Sequence, residues 1–182
     1  RNKDKRHYKF IMNDLNFRNI IKFLKTSYKL KEVHRSGWLR KTTIKNPESV
    51  AEHIYGTMIL CYIISKINGL NTYKMLIMSL IHDLAESKIG DRIPEDGEKR
   101  ILENKEFKKI IENLPSKIRI ELNDIWDEIN NKNSKESKIF SQIDKLEMGV
   151  QAKEYIYSGG SKKELQKFID STTNNIDDIT IK

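Results

Sequence analysis

The sequence is poor in the residues that interrupt helices, and it has a single cysteine. Its 182 residues include only three prolines and eight glycines, so long stretches can remain helical. Cys61 cannot form a disulfide within the chain, which favours a reducing compartment, the cytoplasm. The longest apolar run, residues 58–64, is far shorter than the ~20 residues of a membrane span. No stretch alternates as a β-strand does, so we expect an all-α domain outside the membrane.

The charge of the chain is unevenly distributed. The net charge is +8, and residues 1–46 hold 14 Lys or Arg against three acids. Such a basic segment attracts phosphorylated ligands or nucleic acid, but it also occurs as a solvated lysine surface with a flexible tail. We favour the second interpretation, because aromatic residues are not interleaved as stacking platforms for bases. The chain begins at Arg1 without a methionine, so we expect a fragment and leave a targeting segment open.

Apolar periodicity predicts one helical domain with a tail at each end. Residues 1–12 are basic without periodicity, and residues 171–182 are polar, so we predict flexible tails around a domain spanning residues 13–170. The domain is expected to be a single bundle of about six to eight helices. Asn46 is the expected N-cap of the second helix. The predicted helices span residues 14–30, 47–67, 73–86, 98–113, 115–129, 135–158 and 162–170, with a loop over 31–46.

The segment from His82 to Glu86 carries the clearest indication of chemistry. It follows residues 73–81, whose apolar positions recur at helical spacing and predict a buried helix with a His-Asp pair near its end. Charged side chains are rarely buried unless they are paired or bind a metal ion. Because His82 and Asp83 are adjacent, further ligands must come from other segments, and Glu86 lies on the same helix face. The candidates for these ligands are His53 and Asp144.

The order of these residues resembles the H…HD…D signature of the HD-domain metal-dependent phosphohydrolases. Three flanking segments are similar to the 5'-deoxynucleotidase branch of that family. They are Pro-Glu-Ser-Val-Ala-Glu-His at 47–53, His-Asp-Leu-Ala-Glu at 82–86 followed by Asp91, and Arg-Ser-Gly-Trp at 35–38. The resemblance covers about residues 15 to 160. An ordered set with its flanks is far more specific than a His-Asp dipeptide alone.

The resemblance implies a role for each of these residues. The expected metal ligands are His53, His82, Asp83 and Asp144. Glu86 and Asp91 are the expected catalytic acids: Glu86 orients or deprotonates the attacking water, and Asp91 holds the sugar hydroxyl or a second ion. Arg35 and Trp38 are expected to bind the nucleotide, with Arg35 on the phosphate. For Trp38 the alternative of a core residue stays open.

The ligand set suits a divalent metal ion, one of Mn, Co, Mg, Zn or Fe, because it combines imidazoles with carboxylates. Such an ion lowers the pKa of bound water and neutralises charge at phosphorus. The substrate follows from the resemblance: a deoxyribonucleoside 5'-monophosphate, hydrolysed to deoxynucleoside and phosphate. We expect triphosphates to be repelled by Glu86, Asp91 and Asp144.

Two other functions remain open. The chain could be an HD phosphohydrolase of another phosphoester: a nucleoside triphosphate, a cyclic dinucleotide or an alarmone. It could also be non-catalytic, as an HD scaffold with a structural ion or as a nucleic-acid-binding module. Glu86 and Asp91 argue against a scaffold, because a structural ion does not need them. We expect a nucleotide as the partner, no specific nucleic acid and no membrane, and we leave a homodimer open.

Overall fold

The computed structural model describes residues 15–92 and 98–176, and it confirms the all-α prediction. A 3-10 helix, Lys29–Lys31, follows the first α-helix. Within the described residues the only β-type pairing is an isolated antiparallel bridge between His34 and Ser49. The α-helices are Leu15–Tyr28 (α1), Ser36–Lys41 (α2), Val50–Asn68 (α3), Thr72–Ile81 (α4), Glu86–Ile89 (α5), Lys99–Ile111 (α6), Ser116–Asn131 (α7), Lys135–Tyr157 (α8) and Lys162–Thr173 (α9).

Helix α2 lies where a loop was predicted. The backbone N–H of its first residue, Ser36, donates a 2.6 Å hydrogen bond to Asp91 Oδ2, and Trp38 is only 1% exposed. Both residues are therefore held by distant parts of the chain. A helix this short is stabilised by tertiary packing and not by its own sequence. Local periodicity consequently gave no sign of it.

Helix α3 begins later than predicted, with Ser49 and not Asn46 as its N-cap. The Ser49 side chain accepts a hydrogen bond from the Glu52 N–H, and the Glu52 carboxylate accepts one from the Ser49 N–H at 2.6 Å. This reciprocal capping box satisfies backbone donors that the helix itself leaves unpaired. His53 consequently lies close to the start of α3.

Two clusters of buried residues form the interior. The larger cluster joins α3, α4, α6, α7 and α8, and the smaller cluster, around Trp38, Leu165 and Phe168, joins α2, α8 and α9. Several large apolar residues of these helices are exposed, among them Ile101 (73%), Val150 (47%) and Ile118 (42%). Ile101 and Ile118 lie in the first turns of α6 and α7, whose buried residues come later in each helix.

Helix α3 is also long and apolar enough, by length and composition, to cross a membrane, and no other described helix is. Its buried residues include His53, Thr57, Cys61 and Ile64. The helix packs against α4 and α8 along this side. One side of α3 therefore belongs to the core of the bundle, whereas apolar residues of its other side, such as Tyr55 and Tyr62, are exposed.

The C-terminal helix extends past residue 170, where the domain was predicted to end. Thr172 is buried, and its hydroxyl donates a 2.9 Å hydrogen bond to the Lys145 carbonyl. Gly149 provides the necessary space, because a Cβ there would lie 2.6 Å from Thr172 Oγ1. The first residues of the predicted tail 171–182 therefore belong to the folded part. The predicted tail at residues 1–12 lies outside the described residues.

Candidate active site

Three helices bring the four predicted metal ligands into one cluster. His53 lies at the start of α3, His82 and Asp83 directly follow α4, and Asp144 lies within α8. His53 Nε2 is 3.0 Å from Asp144 Oδ1 and 3.8 Å from Asp83 Oδ2. His82 Nε2 is 3.2 Å from Asp83 Oδ2 and 3.7 Å from Asp144 Oδ1. We refer to these four side chains as the ligand cluster.

Both histidines direct Nε2 into the ligand cluster, because Nδ1 is hydrogen-bonded elsewhere. His53 Nδ1 lies 2.5 Å from Glu147 Oε2, and His82 Nδ1 lies 2.8 Å from the Ser79 carbonyl oxygen. These oxygens accept, so each Nδ1 carries a hydrogen and each neutral ring has its lone pair on Nε2. The two Nε2 atoms are 3.2 Å apart. Two lone pairs at this distance need a proton or a metal ion between them.

The donor set fits one divalent metal ion. Ligands about 2.1 Å from an ion lie about 3.0 Å apart at right angles and about 3.4 Å apart in a tetrahedron. The distances from the two Nε2 atoms to each other and to the carboxylate oxygens run from 3.0 to 3.8 Å. The Nδ1 contacts of both histidines are of the kind that fixes ring orientation at metal sites. The residues of the ligand cluster are thus chemically suited to such an ion.

The electrostatics of the ligand cluster also favour a bound cation. Burial alone would raise the pKa of both aspartates, but His82 lowers the pKa of Asp83 far below its ordinary value, and the hydrogen bond to His53 lowers that of Asp144 to about 2. Burial and the charge of Arg35 would lower the pKa of His53, yet its carboxylate partners raise it to about 9. The ligand cluster therefore attracts a positive charge, either a proton or a metal ion.

A cavity of about 270 Å³ lies beside the ligand cluster. Four acidic and four basic side chains line it, together with apolar residues of the smaller buried cluster. The lining residues are Arg35, Gly37, Trp38, Lys41, Asp83, Glu86, Asp91, Arg92, Lys99, Asp144, Met148 and Phe168. Other cavities of about 280, 310 and 330 Å³ are lined by none of the predicted site residues. The predicted chemistry therefore converges on this cavity, which we call the active-site cavity.

The helix predicted over residues 73–86 ends at Ile81, so Glu86 does not share a helix face with His82 and Asp83 as predicted. It is instead the first residue of α5, after a turn, and it is 1% exposed. Burial, followed by repulsion from Asp83 and Asp91, raises its pKa to about 10. A cation in the ligand cluster would remove much of this repulsion. Its Oε1 atom lies 3.4 Å from Lys99 Nζ, whereas Oε2 has no hydrogen-bond partner among the described residues. A buried polar atom without a partner costs about 1–3 kcal/mol, so Oε2 is poised to bind water or a ligand.

Arg35 and Asp91 line the side of the active-site cavity that is formed by the start of α2. The Arg35 guanidinium donates a 3.1 Å hydrogen bond to Asp83 Oδ2. Burial would lower the pKa of Arg35, but Asp83, Asp144 and the other acids raise it above its ordinary value, so Arg35 is a permanent cation. Asp91 Oδ2 accepts the Ser36 N–H and thereby fixes the start of α2. Asp91 is thus tied to the backbone of the segment that carries Arg35.

Trp38 has the surroundings of a core residue. Its ring packs against Phe168 with the centroids 4.4 Å apart and contacts Tyr155 edge-on at 5.3 Å. Its Nε1–H donates a 2.9 Å hydrogen bond to Glu48 Oε1. Because Trp38 is 1% exposed, its faces are not available for stacking on a nucleotide. The structure therefore favours the core interpretation of Trp38 over the predicted substrate contact.

Sequence reasoning missed several charged residues of the site, among them Glu147, Glu48 and Lys99. Glu147 holds His53, and Glu48 lies near it; burial and then the charge of Glu147 raise the pKa of Glu48 to about 7. Glu147 follows Asp144 by three positions on α8, so their shared helix face was a usable signal. Glu48 lies inside the motif that ends at His53. Lys99 had no such signal, because it enters the site from a separate helix.

Comparisons with known proteins find relatives that match most of the chain. The sequence profile of a family described as HD domain matches residues 27–181. The chain is 36% identical over 159 residues to human 5'-deoxynucleotidase HDDC2, which covers 85% of this chain and 77% of that protein. Among solved structures, it is similar to a conserved hypothetical protein from Pyrococcus furiosus, with a TM-score of 0.70 and 30% identity over 83% of this chain and 86% of the other. The fold is also that of an HD phosphohydrolase (DatZ) from cyanophage S-2L, bound to dA and one catalytic Zn²⁺ ion, with a TM-score of 0.55 and 13% identity over 82% of each chain.

Proposed function

The chain belongs to the HD domain family, and we propose that it is a metal-dependent 5'-deoxynucleotidase that converts deoxyribonucleoside 5'-monophosphates to deoxynucleosides and phosphate. The observation that carries the proposal is that the ligand cluster and the buried Oε2 of Glu86, which has no partner in residues 15–92 and 98–176, meet at one cavity. The identity to human 5'-deoxynucleotidase HDDC2 over most of both chains supports the substrate class.

In this proposal His53, His82, Asp83 and Asp144 hold one divalent metal ion. When bound, the ion lowers the pKa of water and neutralises charge that builds on the phosphate. Two imidazole nitrogens favour Mn, Fe, Co or Zn over Mg, which prefers an all-oxygen shell. Glu147 and the Ser79 carbonyl keep both Nε2 atoms directed at the ion.

Glu86 is the proposed general base. Its Oε1 is held near Lys99, and its buried Oε2 has no partner within the described part of the chain, so Oε2 is the atom that accepts a proton from the attacking water. The water oxygen forms the new bond to phosphorus while the bond from phosphorus to the 5'-oxygen breaks. The proton finally resides on the 5'-hydroxyl of the released deoxynucleoside.

Arg35 is the proposed phosphate ligand, and Asp91 is proposed to bind the sugar hydroxyl of the nucleotide. The fork of a guanidinium can donate to two phosphate oxygens at once. Support comes from the location of Arg35 on the cavity wall, next to Asp83. The Asp91 carboxylate already accepts the Ser36 N–H through Oδ2, so Oδ1 is the oxygen that faces the sugar in this proposal.

Charge repulsion alone does not explain a preference for monophosphates. The prediction counted only acids in the cavity, whereas Lys41, Arg92 and Lys99 also line it. Among the described lining residues four cations balance four carboxylates, so these side chains would not expel a triphosphate by net charge. We propose that the preference for monophosphates depends on position: Arg35 and the metal ion together bind one phosphate group, and they hold it where it can be attacked.

The remaining expectations form part of the same proposal. We propose a cytoplasmic location. Whether the protein forms a homodimer remains open and can be measured. Exposed apolar residues on α3, namely Tyr55, Ile59, Tyr62 and Ile63, offer one face on which a second copy could pack. Light scattering after gel filtration, with and without Ile59→Lys, measures this directly.

The test of the proposed function is phosphate release from matched deoxynucleoside mono-, di- and triphosphates, ribonucleotides, a cyclic dinucleotide and an alarmone. Each assay is run after chelation and again after each metal ion is added back. We expect release from deoxyribonucleoside 5'-monophosphates only, and only with metal. Faster release from a triphosphate would move the protein to another class of HD phosphohydrolase. No release from any substrate, with metal still bound, would favour the scaffold.

A further inference from the structure

Lys99 is the first residue of α6, and its ammonium lies at the active-site cavity. It donates a hydrogen bond to the Arg92 carbonyl oxygen. It is also 3.4 Å from Glu86 Oε1, 3.4 Å from Glu103 Oε1 and 3.9 Å from Asp91 Oδ1. The side chain is 21% exposed. Four oxygen atoms from four residues therefore surround one cation.

These contacts leave the ammonium little capacity to bind a phosphate. A lysine ammonium has three N–H donors, and the carbonyl of Arg92 with the carboxylates of Glu86 and Glu103 already supply an acceptor for each. Glu103 lies one helical turn after Lys99 and holds its side chain over the start of α6. The arrangement is that of a structural cation directed at Glu86.

The two oxygens of the Glu86 carboxylate have different surroundings. Oε1 faces Lys99, whereas Oε2 is buried and has no partner among the described residues. Fixing one oxygen fixes the plane of the carboxylate and therefore the direction of the other. We propose that Lys99 is a positioning residue that holds Glu86 Oε1, so that Oε2 stays directed at the reacting water.

Two further effects follow from the same contacts. The positive charge of Lys99 opposes the repulsion between Glu86 and Asp91, which both face it. The bond to the Arg92 carbonyl ties the segment after α5 to the start of α6. Lys99 thus connects the proposed base to a helix that contributes no metal ligand. This inference rests on the proposed function of Glu86.

The test compares Lys99→Met with Lys99→Arg and with Lys108→Met, a matched exposed lysine of α6. For Lys99→Met we expect kcat to fall about 10- to 100-fold, the usual loss when a partner that orients a catalytic group is removed. KM should stay within about twofold and the metal content should be unchanged, because Lys99 binds neither phosphate nor ion in this proposal. Lys99→Arg should recover part of kcat, and Lys108→Met should match the unaltered protein.

The same substitution in a Glu86→Gln background separates positioning from other roles. Once the carboxylate charge is gone, Lys99→Met should lower kcat by less than about twofold further. The melting temperature should show the same coupling, with a smaller loss in the Glu86→Gln background. A raised KM with normal kcat, a loss of metal, or an equal effect in both backgrounds would each overturn the proposal. The melting-temperature coupling is read without substrate, so a failure of the proposed function remains distinguishable.

Discussion

The two walls of the active-site cavity are built in different ways. The ligand cluster comes from α3, α8 and the end of α4, helices that pack directly against one another in the core. The opposite wall comes from short elements, α2, α5 and the first turn of α6. These are held by the packing of Trp38 in the smaller buried cluster and by side-chain contacts such as Asp91 to the Ser36 N–H and Lys99 to the Arg92 carbonyl.

This difference separates what each wall contributes. The packed helices hold the nitrogen and oxygen donors of the ligand cluster in place without help from a substrate. The opposite wall is held by the packing of Trp38 and by a few side-chain hydrogen bonds. It contributes no metal ligand, and its groups orient the reacting atoms in the proposed mechanism. Substitutions in the ligand cluster should therefore alter metal content and stability, and substitutions in the opposite wall should alter kinetics.

The largest effect is expected from Asp83→Ala, which removes a ligand and the partner of Arg35. Metal and activity should both be lost, because the ligand cluster keeps only one carboxylate. In the unaltered protein an ion at 100 times its dissociation constant adds about 2.7 kcal/mol of stability, or roughly 5–10 °C in Tm. That metal-dependent shift should be absent in the variant. Elemental analysis and thermal melts with and without chelator measure both.

The control for this prediction is Asp124→Ala, which removes an exposed aspartate on α7. It should leave the metal content, the activity and the metal-dependent shift in Tm unchanged. A stoichiometric ion in Asp83→Ala would remove Asp83 from the ligand set.

The next largest effect belongs to the opposite wall. Glu86→Gln keeps the size of the side chain but removes the base, so kcat should fall about 10²- to 10⁴-fold while the ion stays bound. Tm should change little, because glutamine keeps the size of the side chain and its Oε1 can still accept a hydrogen bond from Lys99. Steady-state kinetics, elemental analysis and thermal melts on one preparation test this. Near-normal turnover with the ion present would exclude Glu86 from the mechanism.

The same contrast explains what could be predicted from the sequence. The apolar periodicity of α3 and α8 predicted both helices to within about three residues, whereas the helix predicted over 73–86 ends at Ile81 and is followed by a turn. The pairing of His53 with His82 and Asp144 came from the order of a family motif, since residues 91 positions apart share no local signal. That motif indicates which residues meet but not the distances between their atoms.

The opposite wall was predicted less well, because its structure depends on tertiary contacts. Helix α2 exists through the contacts of Ser36 and Trp38 with distant residues, and periodicity does not detect such contacts. Lys99 reaches the cavity from α6, whose local pattern resembles that of any charged helix. The predicted repulsion of triphosphates was incomplete for the same reason, since the basic residues of this wall were not foreseen.

A smaller effect within the ligand-cluster wall is expected from Gly56→Ala. A Cβ at Gly56 would lie 2.7 Å from Glu147 Oε1, so the Glu147 carboxylate must move and its hold on His53 weakens. Metal affinity should fall about 10- to 100-fold, while kcat at saturating metal stays within a few-fold. Gly37→Ala is the control, because its Cβ meets nothing closer than 3.7 Å and metal affinity should be unchanged. Equal metal affinity in both variants would contradict a role for Glu147.

The smallest effect on activity is expected from Trp38→Phe. The ring still fills the space beside Phe168, but Glu48 loses the Nε1–H donor, which should cost about 1–3 kcal/mol of stability. KM should change by less than about twofold, because the buried ring contacts no substrate. The matched control is Trp126→Phe, which loses a comparable bond from Nε1 to Asn104 away from the cavity. Denaturant unfolding and KM for a deoxynucleoside monophosphate are measured for both variants. A KM raised tenfold in Trp38→Phe alone would show that Trp38 contributes to substrate binding. The opposite wall would then include a residue of the smaller buried cluster.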